Sequence, residues 1–158
     1  MNLEHEACDR RPSRLRLDDQ LCFALYAATN AVTRAYRPLL GALGFTYPQY
    51  LVMLALWQDG ALSVREIAAR LRLGPSAITP LIDQLEAAGF VSRTRSGTDR
   101  RMVTVVVSET GRNLHEAAAA AQEAVVCRTG LSEDALRALR DELNALVDRI
   151  ASPRPVKA

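Results

Sequence analysis

Residues 76–107 read "SAITPLIDQLEAAGFVSRTRSGTDRRMVTVVV" and combine one helical pattern with two strand patterns. Four apolar residues repeat at the i, i+3, i+4 and i+7 spacing of a helix face, which predicts a helix over 76–88 that Gly89 ends. The segments 90–95 and 101–107 are rich in β-branched residues and flank a short polar loop, so they predict a β-hairpin. The stretch therefore predicts a helix that leads directly into a two-stranded hairpin.

The residues before this stretch predict two more helices. Thr46 can cap a helix that runs to Asp59 and Gly60, and "SVRE" at 63–66 is a capping box for a helix that ends near Leu73. A helix–turn–helix followed by a β-hairpin is the winged helix architecture. We predict this DNA-binding unit over residues 46–108.

The N-terminal part divides into an arm and helices. Residues 1–16 mix charges with little periodicity and predict a mobile arm, whereas residues 17–45 predict helices. Asp18 or Asp19 can cap the first of them. Pro38 predicts a break or a second short helix near its end.

Two further helices are predicted over residues 109–151, before a tail at 152–158. Ser108 or Thr110 starts an alanine-rich helix, and Ser132 caps the last one. The terminal helices carry more apolar surface than so small a unit can cover, which predicts a homodimer. The fold class is therefore mainly α with a small β-hairpin wing, flanked by N- and C-terminal dimerisation helices.

Composition bounds the function classes. The chain has 158 residues, 49% of them hydrophobic, and a net charge of +2 that argues neither for nor against nucleic acid. Its longest apolar run, 50–57, is too short to span a membrane, and its N-terminus does not resemble a signal peptide, which predicts a cytoplasmic protein. Three scattered cysteines without C-x-x-C or Cys/His spacing predict no metal and no cofactor.

The predicted helix and hairpin carry the groups that a DNA reader needs. Ser76, Ala77 and Thr79 are small enough to approach base edges in a major groove. The hairpin adds four arginines: Arg93, Arg95, Arg100 and Arg101. It carries only one acid, Asp99. A capped surface helix and a solvated hairpin are the plainer interpretation. The succession of the two favours binding to double-stranded DNA, with the wing on phosphate or in the minor groove.

Cys22 lies near the start of the first predicted helix. A thiolate is the reactive form of cysteine, and a helix N-terminus favours it, whereas the neighbouring Asp18 and Asp19 oppose it. A phenol can donate a hydrogen bond to a thiolate, so Tyr26, Tyr36 and Tyr47 are candidate donors. A buried, inert thiol is the alternative, and the residues alone do not decide between the two.

The stretch 73–111, "LGPSAITP" onward, resembles the MarR family of winged helix regulators, whose wing motif D-x-R stands here as Asp99, Arg100 and Arg101. The resemblance implies that Arg101 contacts DNA and that Gly97 and Asp99 shape the wing. The N-terminal stretch 21–57 is similar to the organic-hydroperoxide-sensing (OhrR-type) repressors of that family.

This subgroup implies roles for the sulfur-bearing residues. Cys22 is the implied redox-sensing residue, and Tyr36 and Tyr47 of the dimer partner are implied to hold its sulfur. Cys127 is the implied resolving thiol, as in members with two cysteines that form a disulfide between subunits. Cys8 has no implied role.

The sequence departs from the pattern of this subgroup at one place. Gly74, Pro75 and Ala77 replace an acid and two hydroxyl residues that the subgroup carries at or near the DNA surface. The expected function is a repressor whose reduced dimer binds a palindromic operator and is released by an organic hydroperoxide. Two alternatives stay open: a MarR-type regulator released by a small aromatic or phenolic ligand, and a thiol peroxidase. A peroxidase is disfavoured because the chain has neither a βαβ pattern nor C-x-x-C, so we expect no enzyme.

Overall fold

The computed structural model describes residues 15–95 and 103–151, which form seven helices and three strands. A single 3₁₀ turn at Leu17–Asp19 precedes them. In chain order the elements are α1 Leu21–Ala42, α2 Tyr47–Asp59, β1 Leu62–Ser63, α3 Val64–Leu71, α4 Pro75–Ala87, β2 Val91–Arg95, β3 Val103–Val107, α5 Glu109–Asn113, α6 His115–Thr129 and α7 Glu133–Ala151. The predicted fold class, mainly helical with a small antiparallel sheet, is confirmed.

Helix α2 forms the centre of the core because it is apolar on nearly every side. Val52, Met53 and Leu56 are almost fully buried, and α1, α3, α4 and β3 all pack against this helix. Thr46 begins α2 with a capping box in which its hydroxyl accepts from the Gln49 N–H. Two predictions are therefore confirmed: Thr46 caps the start of α2, and the "SVRE" motif caps the start of α3.

The second capping box fixes the start of α3. The Ser63 hydroxyl accepts from the Glu66 N–H, and the Glu66 carboxylate accepts from the Ser63 N–H at 2.7 Å. The hydrogen bond from the Ser63 backbone lowers the pKa of Glu66.

The sheet has the strand order β1–β3–β2, with both pairs antiparallel. The hairpin of β2 and β3 is confirmed, and Val91 pairs with Val107 at its base. The two-residue strand β1 was not predicted, because a pair as short as Leu62 and Ser63 has no periodicity to detect. It pairs with Val105 and Thr104 and so attaches the sheet to the start of α3.

Two expectations about α1 are wrong. Gln20, not an aspartate, stands before the helix, and Asp18 and Asp19 lie in the preceding 3₁₀ turn. Helix α1 also runs without a break through Pro38. Tyr36 and Leu40 are buried on either side of the proline, so core packing holds both segments in line and offsets the lost hydrogen bond.

The single alanine-rich helix is observed as two helices. Ser108 caps α5 as predicted, since its hydroxyl accepts from the Gly111 N–H at 3.0 Å. The chain then turns at Leu114 into α6. Gly111 is buried at this corner, where an added Cβ would lie 2.2 Å from the Phe90 carbonyl oxygen.

The terminal helices leave apolar side chains uncovered. No residue within α7 is buried. Its exposed apolar side chains recur on one stripe, and α1 exposes others near its start: Leu139, Leu143, Val147 and Ile150 on α7, and Leu21, Phe23 and Tyr26 on α1. The predicted excess of apolar surface on these helices is therefore observed.

Within residues 15–95 and 103–151, no single helix is both long and apolar enough to cross a membrane. Helices α1 and α2 pass that test of length and composition only as a pair, bent by 75°.

Candidate functional site

Helix α4 presents its N-terminal half to the surface. Ser76, Ala77 and Thr79 are exposed, whereas Ile78 and Ile82 on the opposite side are fully buried. Thr79 donates its hydroxyl proton to the Pro75 carbonyl at 3.1 Å, which leaves the oxygen free to accept. This small, exposed face at a helix N-terminus has the shape and polarity that a major groove accepts.

Arg93 lies against α4 in an ion-pair cluster. Its guanidinium contacts both Asp83 and Glu86, and its backbone N–H donates to Glu86 Oε1 at 2.9 Å. The hydrogen bond to Asp83 raises the pKa of Arg93, and Glu86 adds to this effect. The charge of Arg93 is thus compensated within the chain, and strand β2 is joined to α4 by these ion pairs.

The other wing residues differ from Arg93 in their setting. Arg95 is exposed at the end of β2, and within residues 15–95 and 103–151 it has no ion pair. The remaining predicted wing residues lie outside the described residues: Gly97, Asp99, Arg100 and Arg101. The predicted DNA contacts, including that of Arg93, stay predictions.

Cys22 is the second residue of α1 and is exposed. The first turn of a helix carries N–H groups without intrahelical partners, and these stabilise an anion. Tyr36 lies on the same helix, fourteen residues further on. At a rise of about 1.5 Å per residue, that separation is roughly 21 Å. Tyr36 therefore cannot touch the Cys22 of its own chain.

Tyr36 and Tyr47 belong to a cluster of three aromatic rings. Their ring centroids lie 5.3 Å apart, and Tyr50 lies 5.5 Å from Tyr36 and 6.2 Å from Tyr47. The Tyr50 hydroxyl donates to Gln122 Oε1 of α6 at 3.4 Å. The structure thus brings the two predicted tyrosines together and adds Tyr50. Tyr50 is not predicted from the sequence, because its place in an all-apolar helix is typical of a packing residue.

All three phenols keep their protons at neutral pH. Burial raises the pKa of Tyr36, and the neighbouring Tyr47 adds to this, whereas a hydrogen bond with Tyr50 acts in the opposite direction. Burial likewise raises the pKa of Tyr47 and, more strongly, that of Tyr50. A protonated phenol retains an O–H that can donate to a thiolate.

A surface cavity adjoins the tyrosine cluster. It has a volume of about 260 Å³ and is lined by Thr33, Arg37, Gly41, Phe45, Thr46, Tyr47 and Pro48. Its wall is mostly apolar, and Arg37 supplies one positive charge at its edge. The cavity can hold a small organic group beside the Tyr47 ring.

Cys127 is exposed near the C-terminal end of α6 and, like Cys22, is a free thiol. Helix α6 packs against α1, so both thiols are on helices that belong to one packed layer. Cys8 lies outside the described residues. Within the described ranges, no group of three His, Cys, Asp or Glu side chains is placed to hold a metal ion.

Comparison with known proteins identifies the family. A MarR family model matches residues 45–103. The regulator TtmR of Methylorubrum extorquens is 46% identical over 134 residues, covering 85% of this chain and 69% of that protein. The organic hydroperoxide resistance transcriptional regulator of Bacillus subtilis is 35% identical over 136 residues, covering 86% and 92%. The chain belongs to the MarR family.

Solved structures of MarR-like regulators share the fold over most of the chain. Reduced AbfR bound to DNA has a TM-score of 0.70 at 30% identity, covering 87% of this chain and 96% of that one. Disulfide-formed AbfR has a TM-score of 0.60 at 30% identity, covering 84% and 93%. CouR from Rhodococcus jostii, bound to p-coumaroyl-CoA, has a TM-score of 0.73 at 31% identity, covering 91% and 100%. The predicted DNA-binding winged helix regulator is thereby confirmed at the level of the family.

Proposed function

We propose that this chain is a redox-sensing repressor of the two-cysteine, organic-hydroperoxide type. Its reduced homodimer binds a palindromic operator, with one α4 helix per half-site in successive major grooves. Oxidation of Cys22 by an organic hydroperoxide, followed by a disulfide to Cys127 of the partner subunit, releases the DNA. Residues 46–108, with the recognition helix α4 and the wing, bind the DNA. The flanking dimerisation helices, at 17–45 and 109–151, join the two subunits and carry the two thiols.

The tyrosine cluster is the observation that carries the proposal. The ring centroids of Tyr36 and Tyr47 lie 5.3 Å apart with the ring planes tilted by 45°, and both phenols have raised pKa values, so the two neighbouring rings both carry neutral O–H donors. Because Tyr36 lies roughly 21 Å along the helix from its own Cys22, these donors serve the Cys22 of the partner subunit. The 35% identity to the organic hydroperoxide resistance transcriptional regulator of Bacillus subtilis supports an organic hydroperoxide as the signal.

The chemistry consumes one hydroperoxide per disulfide. The Cys22 thiolate attacks the distal peroxide oxygen, the O–O bond breaks, and the alkoxide leaves as an alcohol after taking a proton. The sulfur is now a sulfenic acid. The Cys127 thiolate of the partner subunit attacks that sulfur and expels hydroxide, which leaves as water. The apolar cavity beside Tyr47 suits the organic group of such a peroxide.

Release follows from the connection between the terminal helices and the winged lobe. A disulfide requires Cα atoms about 4.4–6.8 Å apart, so its formation pulls α1 of one subunit toward α6 of the other. Helix α1 packs against both α6 and α2, and α2 is the central helix of the winged lobe. A pull on α1 is therefore transmitted to the lobe through α2. A shift of the dimerisation helices therefore changes the spacing of the two recognition helices.

Replacement of the sensing thiol tests the proposal. Cys22→Ser is expected to bind operator as the parent does but to stay bound after one equivalent of organic hydroperoxide. Cys8→Ser is the matched control and is expected to release normally. The measurement is operator binding by fluorescence anisotropy before and after peroxide. Release of the Cys22→Ser dimer by peroxide would show that another group senses the oxidant.

A ligand-responsive regulator is the second candidate. The cavity beside Tyr47 and the likeness to CouR bound to p-coumaroyl-CoA both favour it. In that case a small aromatic or phenolic compound would release the Cys22→Ser dimer as readily as the parent.

A thiol peroxidase is the third candidate, and stoichiometry separates it from a sensor. A sensor consumes one equivalent of peroxide for each disulfide and then stops. Continued turnover with a disulfide reductase would support an enzyme instead.

A further inference from the structure

Gln49 is a buried amide that joins two helices of the winged lobe. It lies in the first turn of α2 with 8% of its surface exposed. Its Oε1 accepts from the Thr46 backbone N–H at 2.7 Å, which completes the capping box of α2. Its Nε2 donates to Oε1 of Gln84, on α4, at 2.8 Å. Gln49 therefore connects the start of α2 to the recognition helix.

The orientation of both amides follows from a single backbone donor. A backbone N–H can only donate, so the atom of Gln49 that faces Thr46 is its oxygen, and the other branch of that amide is the NH₂ group. An NH₂ group needs an acceptor, so the atom of Gln84 that faces it is also an oxygen. The NH₂ group of Gln84 is then the branch that this bond leaves over. Within residues 15–95 and 103–151 it has no acceptor, so both of its protons are available.

Gln84 lies on the face of α4 that the proposed docking turns toward DNA. It is exposed and follows Ala77 by seven residues, which is two helical turns and about 10 Å along the axis. Residues seven apart share a helix face, so Gln84 extends the exposed face of Ser76, Ala77 and Thr79. Leu85, the next residue, is buried on the opposite side. When the N-terminal half of such a helix enters a major groove, its later turns lie near the phosphates at the groove edge.

We propose that the NH₂ group of Gln84 donates to a DNA phosphate, and that Gln49 is the positioning residue that holds this group outward. The inference rests on the proposed docking of α4 in the major groove. Phosphate oxygens only accept hydrogen bonds, and glutamine is among the side chains that contact them. A bidentate contact with adenine uses both amide atoms, but the Gln84 oxygen already accepts from Gln49, which favours a phosphate over a base. Because the amide is already fixed, less rotamer freedom is lost when DNA binds.

Binding of the reduced full-length dimer to two fluorescein-labelled duplexes tests the contact. The parent dimer selects one duplex from random-sequence DNA, and the other duplex has an unrelated sequence. Gln84→Met keeps the length of the side chain but removes both amide atoms. It is expected to lower the affinity for each duplex about tenfold, because the dimer makes the contact twice. Phosphate contacts carry no sequence information, so a loss confined to the selected duplex would overturn the phosphate assignment. Unchanged affinity would overturn the contact itself.

Gln49→Glu tests the positioning role at a residue that does not touch DNA. Glutamate still accepts from the Thr46 N–H, as it does in other capping boxes, so the melting temperature should stay close to that of the parent. Glutamate cannot donate, so Gln84 turns its NH₂ group inward and its oxygen outward. The affinity at pH 8 should again fall about tenfold.

A double-mutant cycle separates this effect from the added charge. In a Gln84→Met background, Gln49→Glu should lower the affinity by at most about twofold, because only the new charge remains and ~0.2 M salt screens it. Equal losses in the two backgrounds would contradict the positioning role. Should Gln49→Glu fail to fold by circular dichroism, Gln49→Met takes its place in the cycle, because it also releases the Gln84 amide.

Thr79→Val separates this inference from the proposed function. Thr79 belongs to the face proposed to enter the groove, so loss of its hydroxyl should weaken binding to the selected duplex. If Thr79→Val weakens binding while Gln84→Met matches the parent, α4 docks as proposed and Gln84 makes no contact. If both variants match the parent, the proposed docking of α4 is itself wrong.

Discussion

Replacement of Arg93 by alanine is expected to lower both the thermal stability of the chain and its affinity for operator DNA. Arg93 joins β2 to α4 through Asp83 and Glu86. The Glu86 pair is the better shielded, with side chains 28% and 37% exposed, and we assign it about 1 kcal/mol. Asp83 is 58% exposed, so solvent screening leaves its pair at about 0.5 kcal/mol. The melting temperature should fall by roughly 3–6 °C.

The effect on DNA binding arises from the two carboxylates that pair with Arg93, because the arginine reduces their combined charge from −2 to −1. Without Arg93, Asp83 and Glu86 add uncompensated negative charge to the recognition helix, and affinity at low salt should fall about tenfold. Arg95→Ala is the matched control on the same strand. It should leave the melting temperature unchanged and reduce the slope of log affinity against log salt by about 0.9, as loss of one phosphate contact requires.

A charge-restoring variant can refute this explanation. The double variant Arg93→Ala, Glu86→Gln restores the parent's net charge of −1 on this cluster without the arginine. Calorimetry and operator titrations over a salt series should show that affinity returns close to that of the parent. If affinity stays low and the salt slope has dropped by about 0.9, Arg93 contacts phosphate directly and does not act as a clamp.

Three further changes test other parts of the molecule. Arg101→Ala should weaken binding to all operator sequences by similar factors and flatten the salt dependence in titrations, whereas unchanged affinity contradicts its wing role. Cys127→Ser should still form sulfenic acid, detectable by mass spectrometry, but lose the cross-linked dimer on non-reducing gels; a persistent cross-link excludes Cys127 as the resolving thiol. Gly111→Ala places a Cβ 2.2 Å from the Phe90 carbonyl oxygen and should lower the free energy of unfolding by about 3 kcal/mol. The control Gly41→Ala, whose Cβ has no atom within 4 Å, should not lower the melting temperature. Equal melting temperatures for these two variants would contradict the close packing at Gly111.

Local patterns predicted most of the winged lobe. Thr46, Ser63 and Ser108 each cap the helix that was expected, because a capping hydroxyl acts on N–H groups only two or three residues away. The hairpin followed in the same way from β-branched runs around a polar loop. These features depend on short-range contacts, so the sequence contains nearly all of the relevant information.

The failures depend on tertiary contacts. Pro38 does not break α1, since the burial of Tyr36 and Leu40 on either side outweighs a local preference. Strand β1 exists only because Val105 and Thr104 of a distant strand pair with it.

Some residues of the candidate site were likewise predictable from the sequence, and others only from tertiary contacts. The spacing of Tyr36 and Tyr47 from Cys22 was recognised through a family resemblance. The place of Tyr50 in the aromatic cluster and the ion pairs of Arg93 depend on the packing of α2 against α1 and α6 and of β2 against α4. In both cases the partner lies on another element, at a sequence separation that no local pattern records.

The central claim, that Cys22 and Cys127 meet across the dimer, is tested most directly by mixing two variants. One subunit carries Cys22→Ser and the other, made longer by a tag, carries Cys127→Ser, both with Cys8→Ser. Neither homodimer contains both thiols, so one equivalent of organic hydroperoxide should cross-link only the mixed dimer, seen as a band of the combined mass on a non-reducing gel. Its formation should accompany the loss of operator binding. Absence of that band, or an equally strong cross-link in either homodimer, would contradict the account.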